Sequence, residues 1–143
     1  MKHWTEGLPY TPCKDALDWL RTQPDAQTAW DKSERGDWML YHAGKLAGEP
    51  GSDARRPLVL AACACARLAL PYVKKGELRP LAAIETAERW ARVEANAPSL
   101  EEVRRAYAAY AAYAAYADAA AARAKALAKC ADIVCQHYPK VPA

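Results

Sequence analysis

A chain of 143 residues with 52% hydrophobic side chains and a formal charge of +3 is long enough to bury a core and fits a single domain, 1–143. Its 34 alanines, absent phenylalanine and scarce β-branched residues favour helix over sheet, and leave five Trp and eight Tyr to supply the large packing volume. Residues 1–55 hold seven basic and nine acidic side chains, and 56–143 hold thirteen and eight; neither part has the dense basic stripe of a nucleic-acid binder, so nucleic acid is not an expected partner.

In chain order, Thr11-Pro12 offers an N-cap and a first-turn proline for a helix running to about Thr22. Pro24-Asp25 opens a short second helix through Trp30, and Gly36 is the residue expected to end it. Asp37 is expected to cap a third helix, Trp38 to Ala47, with Gly48 at its C-terminus. Residues 49–55 read as a loop.

Residues 58–70, LVLAACACARLAL, form the most continuous apolar run, broken only by Arg67. Pro57 suits the first turn of a helix and Pro71 cannot continue one. A helix apolar on every face is a buried one, and about 13 residues are too few to span a bilayer. The expected architecture is therefore all-α: a compact bundle of about five to six helices around a buried central helix (about 57–70). A charge within that helix must be paired, and Asp37, Glu85 and Glu88 are the candidate partners of Arg67.

Another helix begins near Pro80 and carries Leu81, Ile84, Ala87 and Ala91 at helical spacing, with Trp90 at the edge of the stripe. Ser99-Leu100-Glu101-Glu102 is a capping box. From Leu100 to His137 there is neither Gly nor Pro, which predicts one long helix (about 100–137). Within it, 106–122 is a low-complexity Ala/Tyr segment whose Tyr107, Tyr110, Tyr113 and Tyr116 recur every three residues and so wind round the helix. Either the repeat is a duplicated unit that helix tolerates, or it is a tyrosine-studded contact face. A helix of this length would span roughly 57 Å, against a domain diameter of about 37–38 Å. Hence a straight helix is expected, with Tyr107, Tyr110 and Tyr113 touching a partner or a second copy in a homodimer.

Chemistry-bearing patterns are sparse. The three serines, five threonines and three histidines fall in no nucleophile motif, and neither a phosphate loop nor HExxH occurs. Cys63 and Cys65 point some 200° apart on a helix, which prevents joint chelation. They read as buried small hydrophobes. No catalytic residue, metal site or cofactor is expected. The N-terminal MKHWTEGLPY lacks the apolar stretch of a signal peptide, and free thiols suit a reducing compartment, so the expected location is cytoplasmic, with no membrane association.

The cluster from Trp30 to Leu40 places two tryptophans around a charged turn. One reading places both indoles in the core with Asp37 as a cap; in the other, Trp30, Glu34, Arg35, Asp37 and Trp38 form a contact surface for a partner protein.

The runs AW(x)4RGDWML, RPLVLAACACARLALPYV, LRPLAAIETAERWAR and AKALAKCADIV resemble an all-helical family of immunity proteins from bacterial polymorphic-toxin systems. The resemblance covers about residues 15–138. Family members also occur in phage genomes, and the segment before AKALAKCADIV is typically an Ala-rich repeat with Asp and Tyr; here Tyr dominates it. The resemblance implies an all-α, non-enzymatic inhibitor that binds and neutralises a cognate toxin by occluding its active surface. The alternatives are a phage-encoded inhibitor of a host defence effector, of the anti-CRISPR type, and a structural helical protein that self-assembles.

Overall fold

Proline, glycine and capping side chains determine where most of the helices start. The structure, a computed structural model, describes residues 1–114 and 123–143; the side chains of 110–114 and 123–124 are outside that description. Seven α-helices and no strand occur among the described residues: α1 Lys14–Leu20, α2 Ala26–Lys32, α3 Gly36–Leu46, α4 Arg56–Arg67, α5 Arg79–Ala91, α6 Leu100–Ala114 and α7 Arg123–His137. Asp25 caps α2 by accepting from the Thr28 N–H at 2.7 Å, and Ser99 caps α6 by accepting from the Glu102 N–H at 3.2 Å. Pro57 and Pro80 stand in the first turns of α4 and α5, where a missing N–H costs nothing.

Several expected boundaries move. Pro12 stays outside α1, whose N-cap is Cys13. Gly36 opens α3 instead of ending α2, and the reason is packing, since a Cβ there would stand 2.2 Å from the Cβ of Cys130 and 2.7 Å from the amide nitrogen of Ala131. Only glycine lets the start of α3 lie against the backbone of α7. Asp37 is consequently within the first turn of α3, whose N-cap position is held by Arg35, and its carboxylate pairs with that arginine.

Helix α4 is the hub. It packs on α5 on one side and on α7 and α3 on the other, while α6 covers α5 and α3 packs on α7. Trp30, Met39, Ala43, Leu58, Cys65, Ala131 and Val134 form the main core between α2, α3, α4 and α7. Around α5, Pro80, Ala83, Ile84, Trp90 and Ala91 are buried, so Trp90 belongs to the core, with the Arg56 guanidinium stacked 4.4 Å from its ring centre. The central helix is less enclosed than its composition implies. Leu58, Ala61, Cys63 and Cys65 are buried, but the neighbouring residues are half-buried, and the helix stops at Arg67, followed by a 3-10 turn at Leu70–Tyr72.

Ending there puts Arg67 at the rim of the core, with 42% of its side chain exposed. Its partner is Glu88, which is the buried member at 9%, held by two parallel bonds of 2.7 and 2.8 Å. Residues 115–122 lie outside the described residues, so the expectation of one straight helix from 100 to 137 falls partly there, as do the side chains of Tyr110, Tyr113 and Tyr116.

Candidate functional site

The segment before α1 is tied down at Trp4, whose indole N–H donates to the Gln23 carbonyl at 2.9 Å. Together with α1, α2, α3 and the C-terminal residues, this segment encloses an open groove of about 830 Å³. That volume is within the roughly 300–1,000 Å³ typical of ligand sites. Its walls include Tyr10, Trp19, Trp38, Tyr41 and His42, its floor the buried Trp30 and Met39, and one edge Val141–Ala143.

The rings hold one another in place. Trp19 and Trp38 lie 6.2 Å apart and tilted by 49°, Tyr10 meets Tyr41 edge-on at 5.6 Å, and His42 stands 5.8 Å from Trp30. Such offset and edge contacts suit the electron-rich faces and electron-poor edges of aromatic rings.

His42 is fixed at both nitrogens. Nε2 contacts the Pro142 carbonyl at 2.8 Å, and Nδ1 lies 2.6 Å from the Tyr10 hydroxyl. A carbonyl only accepts, so Nε2 carries the proton, and in the neutral ring Nδ1 accepts from Tyr10. Burial, with Tyr41 adding to it, pushes the Tyr10 phenol up to about 12, which keeps this donor protonated.

Among the described residues that line the groove, Asp37 is the one charged side chain. Its carboxylate accepts from Arg35 Nε at 2.9 Å and Nη2 at 2.7 Å, and this pairing holds it below the ordinary carboxylate value. The same guanidinium lies 4.2 Å from the Trp38 ring centre, a cation–π contact that fixes the indole at the groove's edge.

The structure thus divides the predicted contact residues. Arg35, Asp37 and Trp38 come together as one unit at the rim, and Glu34 is exposed on the same turn. Trp30 is corrected to a core residue: it is 4% exposed, and its N–H is spent on the Tyr138 carbonyl at 2.7 Å. Tyr107 is exposed on α6, which is not among the helices enclosing the groove. Tyr110 and Tyr113 lie outside the described side chains. Tyr10, Trp19, Tyr41, His42 and the tail are site residues that sequence spacing did not reveal.

Cys63 and Cys65 are buried free thiols, as expected. Burial, with Glu88 nearby, pushes Cys63 up to about 11, and a hydrogen bond with Cys130 together with burial raises Cys65. No group of three or more His, Cys, Asp or Glu able to hold a metal ion occurs among the described residues. No helix among them is long and apolar enough to cross a membrane. No family model matches the chain, and comparisons with curated proteins and with solved structures find no match.

Proposed function

We propose that this chain is a non-enzymatic binding protein that neutralises a partner protein by occluding its surface, and that the aromatic groove bounded by α1, α2 and α3 is where it grips. The observation that carries the reading is a set of aromatic faces held fixed around an open space. Tyr10, His42, Trp30 and Asp37 are all bonded within the chain, while fixed ring faces remain around an open space. Rigid aromatic walls give large contact area at little entropic cost, which suits gripping another surface.

The resemblance to immunity proteins supplies the class of partner, a toxin of bacterial competition. Its test begins with a pull-down from the native host, followed by titration of the captured protein against Trp38→Ala and Trp19→Ala variants. Each should weaken binding by about tenfold or more, the scale of an aromatic interface anchor, with helix content unchanged. Unaltered affinity in both would place the interface elsewhere.

A further inference from the structure

After α7 ends at His137, residues 138–143 contain no helix and run back along α2 and α3. Beyond the bond from the Tyr138 N–H back to the Val134 carbonyl of α7 at 2.8 Å, four hydrogen bonds from side chains of α2 and α3 hold this tail, and all four reach its main chain. The Trp30 indole N–H donates to the Tyr138 carbonyl at 2.7 Å. The Gln27 side-chain amide is used at both ends: its Nε2 donates to the Pro139 carbonyl at 3.1 Å, and its Oε1 accepts from the Val141 N–H at 2.8 Å. His42 Nε2 donates to the Pro142 carbonyl at 2.8 Å.

This is how a peptide receptor reads a ligand. Main-chain bonds provide affinity without regard to side-chain identity, and neighbouring pockets then select among side chains. Gln27 copies the paired donor and acceptor of a neighbouring strand. The tail also has the chemistry of a preorganised ligand. Pro139 and Pro142 lock two φ angles, and the residues before them, Tyr138 and Val141, are biased towards extended backbone. Less freedom is lost when such a segment is bound. Val141 and Pro142 then line the groove, and Val141 packs on the core cluster. The exposed residue between the prolines is Lys140, which lies outside the groove lining, so its charge plays no part in seating the segment.

We propose that Gln27, Trp30 and His42 form a receptor for an extended, proline-bracketed peptide segment, occupied in cis by the chain's own tail, and that a partner protein engages the groove by presenting such a segment in the tail's place. The inference rests on the binding-protein reading and names the partner element that the groove accepts. An incoming main chain restores these four bonds, so the cost of displacement lies in lifting Tyr138 and Val141 off the core cluster.

The probe is an acetylated hexapeptide, Tyr-Pro-Lys-Val-Pro-Ala, titrated into the full-length chain while the Trp30 indole N–H is followed by NMR. The receiving proteins are the wild type and a Pro139→Gly/Pro142→Gly variant, whose tail is less preorganised. Saturable binding is expected in both, about tenfold tighter in the variant, because competition from the tail reduces the available fraction of receptor. A peptide with glycine at both proline positions should bind about tenfold more weakly. Absence of saturable binding to a variant with wild-type circular dichroism overturns the receptor, and equal affinity for wild type and variant overturns occupancy in cis. Should the double variant not fold, Val141→Pro, which deletes one tail N–H and leaves the receptor intact, takes its place with the same expectations. The captured partner is titrated separately against the same proteins. If it binds them all equally while the peptide does not bind, the receptor proposal fails and the binding-protein reading stands.

Discussion

Removing Arg67 should cost more stability than neutralising Glu88, although both changes break the same pair. The asymmetry follows from burial: Glu88 is 9% exposed at its side chain, whereas Arg67 is 42% exposed. In Arg67→Ala the carboxylate stays in the core with Arg92 as its remaining cation, 3.6 Å away. Orphaning a fully buried charge costs roughly 3–5 kcal/mol. Arg92 and water entering on the Arg67 side offset part of this, which leaves about 2–3 kcal/mol. In Glu88→Gln the guanidinium can turn to solvent and the amide oxygen still accepts one bond, so the net loss is that of a single ordinary bond, about 1–1.5 kcal/mol. Replacing both, as Arg67→Met/Glu88→Leu, should cost less than the sum of the two single changes, because no charge is left unpaired.

Urea unfolding at neutral pH, with an unchanged slope, measures these differences. The reasoning is refuted if Glu88→Gln costs as much as Arg67→Ala, or if Arg67→Ala costs under about 0.5 kcal/mol, the scale of ordinary surface changes. The pH dependence supplies an independent check. Hydrogen bonding to Arg67 holds the Glu88 carboxyl below its ordinary value of 4.5. A depressed folded pKa contributes stability that is present above 4.5 and is lost as pH falls through the folded value. The gap between wild type and Glu88→Gln should therefore be full at neutral pH and close on acidification.

Val93 closes α5 with a φ of +54° while 66% exposed; its N–H reaches the Trp90 carbonyl and the Glu94 N–H reaches the Arg89 carbonyl, a cap that ordinarily takes glycine. Val93→Gly should raise stability by about 0.5–1 kcal/mol, relief of left-handed strain exceeding glycine's entropic cost, and an unchanged or lowered urea midpoint contradicts this. Gly36→Ala should cost roughly 2–3 kcal/mol, since the added methyl meets α7 backbone that no side-chain rotation can move aside; a loss below about 0.5 kcal/mol in the same assay shows that α3 shifts freely. Glu34→Lys should leave stability within about 0.5 kcal/mol, whereas Arg35→Glu loses both the Asp37 pair and the Trp38 stack, so equal unfolding midpoints for the two variants would show that those contacts contribute nothing.

Much of the fold was legible because proline and capping residues act locally. Pro57, Pro80, Asp25 and Ser99 begin helices through bonds or φ angles within a few residues of themselves, so nearby sequence carries their signal. Gly36 was misread for the opposite reason. Its role is a close approach to Cys130 and Ala131, and nothing in RGDW distinguishes a glycine that breaks a helix from one that lets two helices touch. Arg67 was rightly expected to need a partner, and Glu88 was among the candidates. What composition could not convey was the end of α4 at Arg67, which exposes the arginine and leaves its glutamate as the buried charge.

The groove was only partly legible, and the reason lies in how it is assembled. The Trp30–Trp38 turn stands out in the sequence because two indoles flank a run of charges, yet the structure sends them to different duties. Trp38 borders the groove under Arg35, while Trp30 faces inward and spends its N–H on a carbonyl 108 residues away. Tyr10 meets His42 across 32 residues, and His42 meets Pro142 across 100. None of these spacings has a period that a helix or a strand would impose, so no local pattern marks them. They are joined by α7, which packs on α3 and α4 and delivers the tail to α2 and α3. A groove made from residues so far apart in the chain is therefore readable only through topology. The same topology explains why its tightest contacts are to main chain: Gln27, Trp30 and His42 recognise where the tail runs, and only secondarily what its side chains are.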